Sequence, residues 1–308
     1  MYPPHTFSGN PLNREDVNRR DATWLEAMEH HEDTRFLVMP GMQVPMTSGN
    51  DGRIAWFLRT ALDSVLLNRE DPPIFLGTEN GVAHFAMEVA TTAAEQLPMK
   101  GVRLEESRAA GMALNAQEAG IVAQARSQIE WHRRSRYCGA CGGQTRLERG
   151  GHSRSCAKCG NQNFPRTDPV VIMVVVQGDS CLLGQSHGRL SQTNTFSALA
   201  GFVDQGESIE EAVRREVREE AGITVGDVRY HSSQPWPFPY SLMIGCHAHA
   251  LSSDIVIDSS EMADVRWFDR SDILESLTGD GKIGLPGPIA IAHHLIRSWA
   301  KGELEPLQ

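Results

Sequence analysis

Glu216, Glu219 and Glu220 stand at i, i+3 and i+4. On a helix that spacing sends three carboxylates from one face. Such groups repel one another, and burying them without a counter-charge raises their pKa values. A hard divalent cation relieves both effects, because magnesium takes carboxylate oxygens and keeps positions for water and phosphate. Taken alone, the triplet reads equally well as a solvated acidic helix face. A second constellation is Cys138-x2-Cys141 with Cys156-x2-Cys159, fourteen residues apart. Two such hooks can put four thiolates on one ion, which is what a closed structural zinc site needs. Two disulfides or a redox pair are the competing readings. Reduced thiols are expected, because Met1 to Asn10 has neither a basic n-region nor an apolar h-region of a secretory signal. His132 and His152 flank the hooks and are expected at the surface, since four cysteines complete the shell. Cys181 and Cys246 sit in apolar stretches and are expected as buried small hydrophobes.

These groups need a scaffold. Ser208 with Glu211 three residues on makes a capping-box pattern, and Gly222 stands where αL geometry ends a helix. The pattern predicts a helix over Ile209 to Ala221, with Ala212, Val213 and Val217 facing inward. Arg215 and Glu207 can pair to fix the preceding loop against it. Val170 to Val176 reads as a buried strand, turned at Gly178-Asp179 into a partner from Ser180 to Leu183. Further strands are predicted at Phe196 to Val203, Leu242 to Ala250 and Val265 to Asp269, and a second helix at Pro288 to Trp299. Strands around a few helices predict a mixed α/β sandwich. Upstream, Arg35 to Met39 and Ile74 to Gly77 read as strands, Thr47 to Gly52 as turns. Leu114, Ile121, Ala125 and Ile129 fall on one face of a helix, with Gln117 interrupting its start.

Around the triplet the sequence reads Gly201-x5-Glu207-x7-Arg215-Glu216-Val217-x-Glu219-Glu220-x-Gly222-Ile223. It resembles the Nudix box at every defined position, and nine fixed positions over 23 residues make chance a poor explanation. The resemblance implies an α/β/α sandwich and metal-dependent hydrolysis of a nucleoside diphosphate linked to another moiety. It makes Glu216, Glu219 and Glu220 ligands of magnesium or manganese, with the carbonyl of Ala200 a further contact. Eleven residues beyond Ile223 begins Gln234-Pro235-Trp236-Pro237-Phe238-Pro239-Tyr240-Ser241. Its prolines predict a stiff extended loop, and its aromatic rings offer faces for stacking. Alone it could be any Pro-aromatic loop packed in a core. Here it resembles the signature of the NADH pyrophosphatase (NAD diphosphatase) branch, which also carries a four-cysteine zinc motif and a separate N-terminal domain.

By the same resemblance Glu261 is a distal metal-binding carboxylate, although an exposed loop acid is the plain alternative. Phe164 and Phe202 look like the pair that sandwiches the nicotinamide. Where the branch can show Tyr, this chain has Phe164, so the ring face survives and a hydroxyl is lost. Ala292 matches a small residue by the substrate. The implied reaction is hydrolysis of NADH or NAD to NMN(H) and AMP, by a homodimer whose Pro-aromatic loop lies near a shared site. ADP-ribose hydrolysis and removal of NAD caps from RNA are alternatives within the enzyme class. A zinc-ribbon binding module on an inactive Nudix fold is the non-enzymatic one, against which the intact box speaks.

The chain has 308 residues, 40% of them hydrophobic, and a net charge of -10. Its longest apolar run, Val170 to Val176, is far short of a membrane span. An acidic chain is a poor general binder of nucleic acid or anionic membrane. The charge is uneven, however, and residues 131–166 hold eight basic groups against Glu148 alone. That segment keeps an RNA partner open. The expected division is an N-terminal α+β domain over 1–133, a zinc ribbon over 134–166 and a Nudix domain over 167–308. The end, Pro306-Leu307-Gln308, is not a peroxisomal Ser-Lys-Leu address, and a cytoplasmic setting is expected.

Overall fold

The computed structural model describes residues 5–49, 52–62 and 71–303. The chain forms two compact units. The first is Thr6–Thr167 with Pro235–Tyr240, and the second is Asp168–Gln234 and the chain from Ser241 on, together with His5. Among the described residues no helix is long and apolar enough to cross a membrane.

In the first unit, β1 (Arg35–Pro40) runs parallel to β5 (Val82–Val89) at the centre of a four-stranded sheet, flanked by β3 (Phe57–Leu58) and β4 (Ile74–Glu79). β2 (Val44–Thr47) pairs separately with β6 (Val102–Glu105). The four-stranded sheet packs Phe36, Val38, Phe75, Phe85 and Met87 into one core. The helix Ala22–His30 covers it with Trp24, Leu25 and Met28, and starts at Asp21, whose side chain accepts from Thr23 N at 2.9 Å. The predicted strands at Arg35 and Ile74 are present. The turn predicted over Thr47 to Gly52 falls partly outside the described residues.

The long helix differs from expectation at its start. Leu114 lies outside it, as the C-cap of a separate helix, Ser107–Ala113. Asn115 then caps Ala116–Arg134 by accepting from Glu118 N at 2.9 Å. The cap, rather than apolar spacing, sets this boundary. The helix leads into a three-stranded ribbon, β7 (Thr145–Glu148), β8 (Ser153–Cys156) and β9 (Gln162–Asn163). His132 and His152 are not surface groups. His132 is 6% exposed and Nε2-bonded to the Gly151 carbonyl at 2.9 Å, and His152 Nε2 lies 3.2 Å from the Phe75 carbonyl. His132 is buried and His152 half-buried where the ribbon meets β4, which the flanking sequence does not reveal.

The second unit is built on β10 (Asp168–Gln177). Its early residues pair with β12 (Leu199–Phe202), its last three with β11 (Ser180–Ser186), and Asp168 to Val176 run parallel to β14 (Ser241–Ala250). β13 (Val225–Trp236) and β15 (Met262–Asp269) close the two edges. The unbroken apolar run of β10 has a simple cause: both faces are buried. Val171, Met173 and Val175 enter one core with Ala212, Val213 and Val217 of the helix Ile209–Ala221. Ile172, Val174 and Val176 enter another, with Ile273 of Arg270–Thr278 and Leu295, Ile296 and Trp299 of Ile291–Ala300. This is the α/β/α sandwich expected of the sequence. The helix Arg270–Thr278 and the strand β13 are additions to the predicted elements. Cys181 and Cys246 are fully buried in these cores, and burial pushes the Cys246 thiol up to about 12.

Candidate active site

The helix Ile209–Ala221 begins with the predicted capping box. Ser208 Oγ accepts from Glu211 N at 3.2 Å, and the Glu211 carboxylate accepts from Ser208 N at 2.7 Å. It ends at Gly222, with φ 71°. Its apolar side is fully buried, and that burial fixes its rotation about its own axis. As a result Glu216 and Glu220 are 8% and 7% exposed, while the Glu219 side chain stays more than half exposed. The carboxylates therefore differ in setting: two lie in the protein and one at the rim.

Arg215 organises them. Its Nε and Nη2 grip Glu207 Oε1 and Oε2 at 2.6 and 2.8 Å. Its Nη1 reaches Glu216 Oε1 at 2.8 Å and Glu219 Oε2 at 2.9 Å, and Nη2 also donates to the Phe202 carbonyl at 2.8 Å. Every N–H of the guanidinium is used, a bonding set that lysine cannot reproduce. Glu207 in turn accepts from Asp204 N at 2.9 Å. Arg215, then that amide, hold the Glu207 carboxyl down at about 2. The loop is thus tied to the helix by the predicted pair.

Burial raises the Glu216 pKa against the pull of Arg215. Burial, then the charges of Glu216 and Glu261, push Glu220 up to about 8, opposed by the backbone amide of Ala200. Glu220 Oε2 is buried and makes no hydrogen bond. Gly201 forms a cradle for Glu216: a Cβ there would stand 1.8 Å from the carboxyl carbon. A buried, mutually repelling acid pair with an unbonded oxygen suits a cation, and the hard oxygen donors suit magnesium or manganese. Glu261 ends a turn in which its N–H donates to the Asp258 carbonyl at 3.2 Å; its side chain is exposed, and its charge reaches Glu216 and Glu220.

The remaining expected site residues are spread over both units. Phe202, in the second unit, and Phe164, in the first, are 59% and 56% exposed, so each presents a ring face to solvent. Gln234 is fully buried. Its Nε2 donates to the Ile289 carbonyl at 2.7 Å, and its Oε1 accepts from Ile291 N at 2.8 Å. It pins the base of the Pro-aromatic loop with both ends of its amide. The loop is only partly a loop: Pro235 and Trp236 end β13, and Ser241 opens β14. Pro237 is buried; Pro239 is half-buried beside Tyr240, which is 8% exposed beneath the Arg166 guanidinium. Ala292 is 3% exposed among the second unit's core residues, a packing position.

The four cysteine sulfurs lie within 4.8 Å of one another, the one such cluster among the described residues. The separations Cys138–Cys159, Cys141–Cys156 and Cys141–Cys159 are 3.7, 3.5 and 3.3 Å. A zinc–sulfur bond of about 2.3 Å puts tetrahedral sulfurs about 3.8 Å apart, so the set fits zinc. Gly142 and Gly160, at φ 68° and 72°, let the two hooks fold back, and their N–H groups donate to the Cys138 and Cys156 carbonyls.

Three family models match in series. A "NADH pyrophosphatase-like rudimentary NUDIX domain" covers residues 28–131, a "NADH pyrophosphatase zinc ribbon domain" covers 133–164, and a "NUDIX domain" covers 166–284. The chain is 38% identical to the NAD-capped RNA hydrolase NUDT12 of Macaca fascicularis and to that of Homo sapiens, over 96% of its own length and 73% of theirs. It is 36% identical to the NAD-capped RNA hydrolase NudC of Mycobacterium bovis, over 80% of its length and 82% of the relative's. With ribbon, rudimentary domain and carboxylate helix matched in one order along one chain, the protein belongs to the NADH pyrophosphatase branch of the Nudix hydrolases.

Proposed function

We propose that this Nudix hydrolase cleaves the pyrophosphate of NADH or NAD, consuming one water and releasing NMN(H) and AMP. Glu220 carries the reading: a buried carboxyl, raised to about 8, with an oxygen that no hydrogen bond reaches, in the field of Glu216, Glu261 and Glu219. Magnesium or manganese bound there supplies charge neutralisation of the phosphates and a water of lowered pKa. Glu216, Glu219, Glu220, Glu261 and the Ala200 carbonyl are the groups that would hold it. Arg215 holds Glu216 and Glu219 in place through its Nη1, and Glu207 keeps Arg215 in place. Glu219 and Glu261, the two exposed carboxylates, are the candidates for taking the proton of the attacking water. Phe164, Phe202 and the Pro-aromatic loop are the substrate-binding groups. Product analysis after incubating NADH, NAD, deaminated NAD and ADP-ribose with each metal tests this. Intact substrates with zinc-replete protein would favour the inactive binding module.

Removal of NAD caps from RNA is the second reading. Its support is the activity for which the relatives are named and the exposed cations Arg134, Arg136, Arg146, Arg149 and Lys158 on and beside the ribbon. RNA turnover that falls steeply with salt while free NADH turnover does not is its expected signature. A homodimer and a cytoplasmic setting complete the proposal. Full activity in a monomer, measured by light scattering, would contradict the dimer.

A further inference from the structure

The N-terminal domain supplies none of the acids invoked above, yet two of its arginines converge on the Pro-aromatic loop. Arg126, on the long helix, donates from Nη1 to the Pro237 carbonyl at 2.6 Å. Its guanidinium also lies 4.7 Å from the centre of the Phe238 ring. Arg108, on the helix Ser107–Ala113, lies 4.5 Å from the same ring and 5.8 Å from that of Trp236. Phe7 meets Trp236 and Phe238 edge-on at 6.0 and 5.8 Å, and those two rings meet at 5.2 Å. Phe7 is seated over Gly111, where a Cβ would come within 2.5 Å of its ring. Inside the loop, Phe238 N donates to the Trp236 carbonyl at 2.8 Å.

Simple filling of this space would need only apolar side chains. Taking a guanidinium partly out of water is costly unless ring faces and a carbonyl compensate it. What the two cations add is direction: a planar fork that fixes one carbonyl and the tilt of one ring. We propose that Arg126 and Arg108 are positioning residues, acting through Pro237, Phe238 and Trp236 to set the loop that receives the dinucleotide. The proposal rests on the reading of the loop as a substrate-binding element, and it gives the rudimentary domain a part in turnover.

The test uses the full, zinc-loaded chain with Arg126→Met, Arg108→Met and Arg126→Lys. Hydrogen exchange is followed in the peptide spanning 232–243, beside steady-state kinetics with NADH and Mn²⁺. Expected for the Met variants are loop exchange faster by about tenfold and a KM raised about tenfold, with kcat changed less than about threefold. Arg126→Lys, which keeps a cation and a donor for Pro237, is expected to recover most of both. Arg108 is exposed, so its variant reads the loop even where Arg126→Met fails to fold. Unchanged loop exchange overturns the proposal. So does faster exchange with KM within twofold of the parent. A wild type that cleaves no dinucleotide sinks the functional reading instead, and the exchange measurement still reports whether the arginines hold the loop.

Discussion

Arg154 and His132 fix each other's hydrogen-bonding state. The imidazole donates from Nε2 to the Gly151 carbonyl, so Nδ1 must accept, and Arg154 Nη1 supplies the proton at 3.0 Å. Arg154 is 2% exposed and uses its other donors on Asp71 and on the hydroxyl and carbonyl of Thr145. Replacing it by Leu leaves Asp71 and the imidazole nitrogen without this partner. The expected loss is about 3–5 kcal/mol, measured by denaturant unfolding of zinc-loaded protein.

The same pair gives an acid limb. Burial, helped by Arg154, lowers the His132 pKa from 6.5 to about 4. The folded state keeps the ring neutral while the unfolded chain protonates. The stability from neutral His132 is therefore present above pH 6.5 and lost as pH falls through about 4. Unfolding midpoints of wild type and His132→Gln, compared from pH 7 to 4, should converge as the pH drops. Parallel curves would remove His132 from the account.

Glu220 has the opposite sign. Its pKa is raised from 4.5 to about 8. In metal-free protein its favourable contribution is complete below pH 4.5 and is lost as pH rises through about 8. Added Mg²⁺ or Mn²⁺ should thus raise the thermal midpoint more at pH 8.5 than at pH 5.5. Glu220→Gln should fold, abolish that difference and lower turnover by about 10²-fold or more. Full activity in the folded variant would strip Glu220 of its assigned role.

Gly201→Ala probes the cradle. The new methyl must displace the Glu216 carboxyl, which lies 1.8 Å from its position. The expectation is a soluble protein with turnover reduced by about 10²-fold, while zinc content is unchanged. Wild-type kinetics would mean that Glu216 moves freely.

Zinc content itself is the last check. Elemental analysis should give one zinc per chain, and Cys138→Ser should lose it along with the amide protection of β7 and β8. The ribbon has three strands of four, four and two residues, too little to hold without the metal.

The site was more legible in the sequence than its supports. Ser208, Glu211 and Gly222 act locally, so the carboxylate helix could be bounded to the residue. β10 announced itself because both its faces are buried. β13 did not: Gly226, Asp227 and Arg229 break its alternation and Pro235 argues against a strand. As an edge strand it tolerates a residue without an N–H. The separate environments of Glu216, Glu219 and Glu220 were also hidden, since spacing gives a shared face and only packing decides how deep each lies. Arg126 reaches a carbonyl 111 residues away, and nothing next to it in the chain marks that partner.

Pro235–Tyr240 belongs to the first unit although β13 up to Gln234 and all of β14 belong to the second. The gene therefore cannot be cut at Thr167 into two self-sufficient pieces. A hydrolase fragment starting at Asp168 would keep its box and both cores, but would carry six residues whose partners Phe7, Arg108 and Arg126 had been left on the other fragment. Modularity in this protein runs through three dimensions, and mixing its segments with those of a relative should preserve function only when the loop and the arginines travel together.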